Sequence, residues 1–245
     1  MSAAAAQQPV EKILEEPNWP DSWPFSPADF QRYDESTDER FYDSPRFVTH
    51  IDDGAIAALT RHYQEVFPPA GDKGAALLDL CSSWISHYPP GYSAGRIAGL
   101  GMNEAELKRN SVLTESVVHD LNADPRLPYE DNAFDVITNT VSVDYLTRPK
   151  EVFAEMHRVL KPGGLAIMSF SNRCFPTKAI SIWTSTGDAD HCWIVGAYFH
   201  FSVPGGWTPP TAADITPGPA GGAIGAYFGA RSDPMYVVSA RKREV

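Results

Sequence analysis

The residues best placed to do chemistry stand just beyond short apolar runs. Asp79 lies near the end of Ala75–Leu80, Gly101-Met102-Asn103 follows residues 95–100, and Asp120-Leu121-Asn122 follows Val117–His119. Asn139 lies within Phe134–Val143, Asp144-Tyr145 comes directly after that run, and Arg173 follows Leu165–Phe170. If these runs are parallel strands, the polar residues share the edge of the sheet where ligands bind. Carboxylates and amides there can accept hydrogen bonds from a polar ligand. Arg173 can pair with a carboxylate or phosphate, and His50, Asp144 and His191 are candidate bases. Cys81 can be read as a reactive thiol in a loop that opens a helix. His191-Cys192 lacks metal-site spacing, so no metal is expected.

The 245 residues include 20 basic and 31 acidic side chains, a net charge of −11. That balance argues against nucleic acid and anionic membrane and leaves a small molecule as the expected partner. A hydrophobic content of 43% fits a globular domain and excludes a wholly disordered chain. Cys81, Cys174 and Cys192 form no CxxC pair, which fits a reducing compartment. With no secretory or transit signature at the start, a cytoplasmic location is expected, or an organellar one if a transit peptide is missing. Residues 196–230 contain one acid, Asp214, and no Lys or Arg, but their Pro and Gly content excludes a membrane helix. Gly99-Leu-Gly101 is not a dinucleotide fingerprint, and neither a Gly-x-Ser-x-Gly elbow nor a Walker A loop is present.

Several elements must position these residues. Residues 1–30 read as an arm on the domain surface, broken by Pro17, Pro20, Pro24 and Pro27 and pinned by Trp19, Trp23 and Phe25. Residues 31–50 read as irregular. A helix begins at Asp52 or Asp53, which can cap it, and shows an apolar face of Ile56, Leu59, Tyr63 and Val66. Further helices are expected from Asn103 to Lys108, from Lys150 to Leu160, and across Pro176–Tyr198 with a break near Gly187. The helix over 150–160 carries His157-Arg158 away from the site. Strands are expected at the five runs above and at Trp207–Ile215 and Met235–Ala240. Pro209 and Pro210 put the sixth strand at an edge, and residues 216–233 read as a loop. Strands alternating with helices imply an α/β, doubly wound, mostly parallel seven-stranded sheet with helices on both faces.

Three segments in order carry a family signal: Leu127-Pro-Tyr-Glu-Asp-Asn-Ala-Phe-Asp-Val-Ile137, Asp144-Tyr-Leu-Thr-Arg-Pro149 and Arg158-Val-Leu-Lys-Pro-Gly-Gly164. With the strand ends above, the layout from about Leu77 to Phe170 resembles the class I S-adenosylmethionine-dependent methyltransferases, type 11-like small-molecule branch. The resemblance implies a Rossmann-like domain over 51–245, preceded by an arm and lid segment over 1–50. It also implies S-adenosyl-L-methionine as cofactor and methyl transfer to a small-molecule acceptor.

The resemblance distributes roles. Asp120 is implied at the adenine amino group, the Leu121 N–H at a ring nitrogen, Asn139 at the methionine part, and Asp79 in the cofactor pocket. His50 is implied as a base at the lid and Asp144 as a base or acceptor-orienting group. Tyr42, Tyr145 and Arg173 are implied at the acceptor. The sequence also departs from the family pattern. Cys81, Ser83 and Ile85 replace three glycines of the loop after the first strand; Cys81 and Ser83 are small enough to let the cofactor approach, and Ser82 between them is implied as a cofactor-binding residue. Gly101 replaces the acid that holds the ribose, with Met102 beside it and Asn103 as a substitute. Restoring an acid by Gly101→Asp is therefore expected to tighten cofactor binding. A non-catalytic relative acting as scaffold or regulatory partner is the alternative implied by these losses.

Overall fold

A computed structural model describes residues 9–218 and 232–244. Its seven-stranded sheet has the order β3-β2-β1-β4-β5-β7-β6. The strands are β1 (Asp72–Leu80), β2 (Ala94–Gly101), β3 (Glu115–Val118), β4 (Phe134–Thr140), β5 (Leu160–Phe170), β6 (Thr211–Asp214) and β7 (Tyr236–Arg241). The first five pair in parallel, with Leu77 opposite both Ile97 and Val136. β7 runs antiparallel to β5 and to β6. This is the expected mostly parallel α/β sheet.

The central strands are apolar on both faces because both faces are covered. Alternate residues of β1 feed two cores. Ala75 and Leu77 join Ile97, Val136 and Ile167 under helix α3 (Asp53–Val66), which buries Ala55, Leu59 and Tyr63. Leu78 and Leu80 join Leu100, Ile137 and Met168 on the opposite face. There they meet α5 (Pro149–Val159) through Val152, Phe153 and Met156, and α7 (Asp188–Ser202) through Val195 and Tyr198. Gly187 stands at the N-cap of α7 and separates it from α6 (Ser181–Ser185), as expected. The N-terminal arm is pinned to α7: Trp19 packs on Trp193 and His200, and Trp23 on Tyr198. It begins with one helical turn, α1 (Val10–Ile13).

Four expectations need correction. Strands do not alternate strictly with helices, because the connections 81–93 and 119–133 contain none. Pro89-Pro90 and Pro125 disfavour a helix in those links, and Tyr88 and Tyr92 cover the sheet instead. Cys81 therefore opens no helix. Residues 31–50 are not wholly irregular, since α2 spans Asp38–Tyr42. The fourth strand stops at Thr140, where Val141 takes a φ of 45° and the chain enters a 3-10 turn over Val143–Tyr145. The sixth strand is shorter than expected and lies at the sheet edge, starting only after Pro209-Pro210. Most of the 216–233 loop falls outside the described residues. Among the described residues no helix is long and apolar enough to cross a membrane.

Candidate active site

A cavity of about 270 Å³ opens at the carboxyl ends of β1 to β5, under residues 38–50. Tyr42, His50, Asp79, Cys81, Ser82, Met102, Asn103, Asp120, Leu121, Tyr145 and Arg173 all line it. Asn139 and Asp144 are buried and do not line it, and His191 is held elsewhere by Trp183. Of the five non-glycine residues with positive φ among the described residues, four line this cavity: His50 at 67°, Cys81 at 56°, His87 at 55° and Val141 at 45°. Each such backbone costs of order 1–3 kcal/mol, and strain of this kind gathers at functional sites. Cys81 thus adopts the left-handed turn that glycine makes cheaply. Burial pushes its thiol up to about 12, so it is no activated nucleophile.

The floor is a hydroxyl-lined carboxylate. Asp79 Oδ2 accepts from Ser82 Oγ at 2.6 Å and Ser86 Oγ at 2.7 Å, and Oδ1 accepts from Thr138 Oγ1 at 3.0 Å. Burial raises its carboxyl to about 6, against the lowering effect of these bonds. Asn139, on β4, donates from Nδ2 to the Leu80 carbonyl at 3.3 Å, which turns it toward β1. Its buried Oδ1 has no partner.

At the end of β2 the structure corrects the expected ribose clamp. Asn103 is the N-cap of α4 (Glu104–Arg109). Its Oδ1 accepts from the Ala105 and Glu106 N–H groups, and its Nδ2 donates to the Tyr42 and Asp43 carbonyls. All of its polar capacity is engaged in holding α4 and the 42–43 backbone. Gly101 cannot carry an acid either. A Cβ there would stand 2.1 Å from the Ser82 carbonyl oxygen, because the loop after β1 crosses closely over β2.

The β3 end forms a tight turn. Asp120 Oδ1 accepts from the Asn122 and Ala123 N–H groups. Asn122 donates to Asp38 Oδ2 at 2.8 Å and to the Tyr145 carbonyl at 2.9 Å. Asp38, buried on α2, also accepts from Arg32 at 2.6 and 2.8 Å and faces Lys178 Nζ at 3.3 Å. That cluster clamps residues 32–42 over the site.

Across the cavity stand aromatic rings and cations. Phe175 meets His50, Tyr145 and Phe41 edge-on or tilted, and the Arg46 guanidinium lies 4.4 Å from the Phe41 ring. Tyr145 Oη accepts from the Phe175 N–H at 2.7 Å. Burial lowers the pKa of His50, so its imidazole is neutral at pH 7 and can take up a proton. It does not cap α3; Asp52 does, accepting from the Ala55 N–H. Arg173 stands at the rim, 62% exposed, and donates to Asp233 at 2.8 Å.

Asp144 is 2% exposed, with Oδ2 unpartnered, and burial raises its carboxyl to about 8. Between pH 4 and 8 the folded state keeps this proton while the unfolded chain has lost it, so stability falls as pH rises through that window. Asp144→Asn removes the proton uptake. The stability of the variant relative to the native protein should therefore climb from pH 5 to pH 8.5 in urea melts. Parallel pH curves would show that Asp144 is ionised when folded.

Sequence reasoning missed Arg46, His87, Glu106 and Phe175. All four line the cavity, but none sits at the end of a strand's apolar run. His87, with φ 55° in a strandless link, is pushed down to about 4 by burial. His157-Arg158 does lie away from the site, with Arg158 bound to Glu155 and Asp131.

Comparison with known proteins agrees with this geometry. A type 11 family model described as a methyltransferase domain matches residues 84–168. A ubiquinone/menaquinone biosynthesis C-methyltransferase of Ruegeria sp. is 40% identical over 72 residues, covering 29% of this chain and 28% of that protein. A demethylmenaquinone methyltransferase of Staphylococcus epidermidis is 35% identical over 106 residues, covering 39% and 42%. The chain thus spans less than half the length of these curated relatives. A methyltransferase structure from Mesorhizobium loti superposes with a TM-score of 0.51 at 18% identity, over 76% of this chain and 98% of that one, which shows the shared fold. Residues 84–168 thus resemble the type 11 methyltransferase domain, within a sheet whose fold is shared with the Mesorhizobium loti methyltransferase structure.

Proposed function

We propose that this chain is an S-adenosylmethionine-dependent methyltransferase acting on a small-molecule acceptor. One observation carries the reading: a single cavity joins the Asp120-Leu121 turn, the left-handed Cys81 turn above Asp79, and an aromatic wall under residues 38–50. Asp120 and the Leu121 backbone would hold the adenine, and the loop from Cys81 with Asp79 would hold the methionine part. The bound cofactor supplies a methyl group already activated on a sulfonium. The protein then has to position the acceptor and exclude water. Tyr42, Tyr145 and Phe175 offer a planar ring three aromatic neighbours, and Arg46 and Arg173 favour an acidic group on it. A neutral His50 can take up the acceptor's proton on a ring nitrogen. Asp144 sits behind Tyr145 and supports that wall as a positioning residue.

In this reading residues 1–50 are the arm and lid, and residues 51–245 the methyltransferase domain. Three free thiols, Cys81, Cys174 and Cys192, support a reducing, cytoplasmic setting. A non-catalytic relative is the second reading, favoured by the Ser82 carbonyl that closes off Gly101.

Calorimetric titration with S-adenosylhomocysteine separates the two. Saturable one-to-one binding is expected, and at least tenfold weaker binding to Asp120→Asn, which keeps the Oδ1 acceptor of the turn but removes the charge. No heat from a folded sample would overturn the enzyme reading in favour of the non-catalytic one.

A further inference from the structure

A nucleoside bound across this sheet edge must present its ribose between the base end at β3 and the far end at β1, that is, over β2. A ribose has two neighbouring hydroxyls, each a donor, and one carboxylate can accept both. Gly101, the last residue of β2, provides none, and the Ser82 carbonyl occupies the space a side chain there would need. Four carboxylates line the cavity: Asp38, Asp79, Glu106 and Asp120. Asp79 already accepts three hydroxyls. Asp38 is bound to Arg32, Asn122 and Lys178. Asp120 belongs to the β3 end.

Glu106 remains, and its surroundings are unusual. It is 8% exposed, on the first turn of α4 directly after β2. Oε1 accepts from the Arg46 backbone N–H at 2.6 Å, and Oε2 accepts from Ser83 Oγ at 2.7 Å. Both donors are neutral, and no cation pairs with this carboxylate among the described residues. Two further lone-pair sites stay open beside the cavity. Its place bridges the β1 loop and α4 across the gap over β2.

Resting on the methyltransferase reading above, we propose that Glu106 receives the ribose hydroxyls of the cofactor, in place of an acid at the end of β2. The same carboxylate ties the Arg46 backbone to α4 and thereby connects the ribose to the segment covering the site.

The test is calorimetry with S-adenosylhomocysteine and its 2′-deoxy analogue, on the native protein and on Glu106→Gln. The native protein should prefer the diol at least tenfold. In Glu106→Gln, S-adenosylhomocysteine should bind at least tenfold more weakly, the deoxy analogue should change little, and the preference should approach one. A merely structural role would weaken both ligands alike and keep the preference, which would overturn the proposal. So would a native protein indifferent to the 2′-hydroxyl, or a preference erased by Asp120→Asn instead. If the glutamine variant does not fold, Glu106→Asp, which withdraws the carboxylate by one methylene, must reduce the preference; an unchanged preference overturns the proposal. Failure of the native protein to bind S-adenosylhomocysteine at all would instead remove the methyltransferase reading itself.

Discussion

Gly101→Ala is expected to lower folding stability by roughly 3 kcal/mol, the upper range for forcing an added methyl into a packed site. For a chain of this size that is a fall in Tm of about 6–12 °C. The added Cβ would stand 2.1 Å from the Ser82 carbonyl oxygen and 3.2 Å from Leu107 Cδ2. Neither neighbour gives way easily. The Ser82 backbone is fixed by its own N–H, which donates to the Leu100 carbonyl at 2.7 Å, and Asp79 holds its side chain. Leu107 is buried on α4. Gly101→Asp is then expected to disrupt the site and weaken any nucleoside binding, the reverse of the tightening that the sequence alone suggests. Gly187→Ala is the control, because nothing lies within 4 Å of a Cβ there. Thermal melts of the two alanine variants decide the matter. Equal melting temperatures would mean that the β1 loop does not cross over β2 this closely.

The contrast between those two glycines shows what a sequence carries and what it does not. The strands were legible because β1, β2 and β4 are runs of small, branched or aliphatic residues too short for buried helices. The break at Gly187 and the cap at Asp52 were legible because each is a local preference of one residue for one backbone shape. The site's edge location followed from strand direction alone, which brought Asp79, Asp120 and Leu121 to one cavity. The rest depends on the path of loops. Asn103 reads equally well as a ligand and as a helix cap, and only the fold shows its four hydrogen bonds engaged. Glu106 resembles any solvated acid of a short helix until Ser83 and Arg46 arrive from 23 and 60 residues away. Asn139 carried the right residue type on the right strand, yet its amide turns toward β1.

Asp38→Ala is expected to have the largest effect on stability, about 3–5 kcal/mol, because it removes the one anion shared by two buried cations. The side chains of Arg32, Asp38 and Lys178 are only 8%, 6% and 1% exposed. Without Asp38, Lys178 Nζ retains the Ser36 carbonyl and hydroxyl and a long contact to partly exposed Asp34 at 3.6 Å, while the Arg32 guanidinium retains, among the described residues, only Glu35 at 3.7 Å. Lys178→Met should cost less, since Asp38 still accepts two bonds from Arg32 and one from Asn122. The double variant should recover part of the loss of Asp38→Ala, because the methionine removes a cation that would otherwise be buried without its anion. Additive losses would mean that the pair does not interact. The same cluster clamps residues 32–42 over the cavity, so amide exchange in that segment should accelerate in Asp38→Ala well before the sheet strands exchange. Uniform acceleration across the sheet would show instead that the cluster supports the whole fold and not the cover of its site.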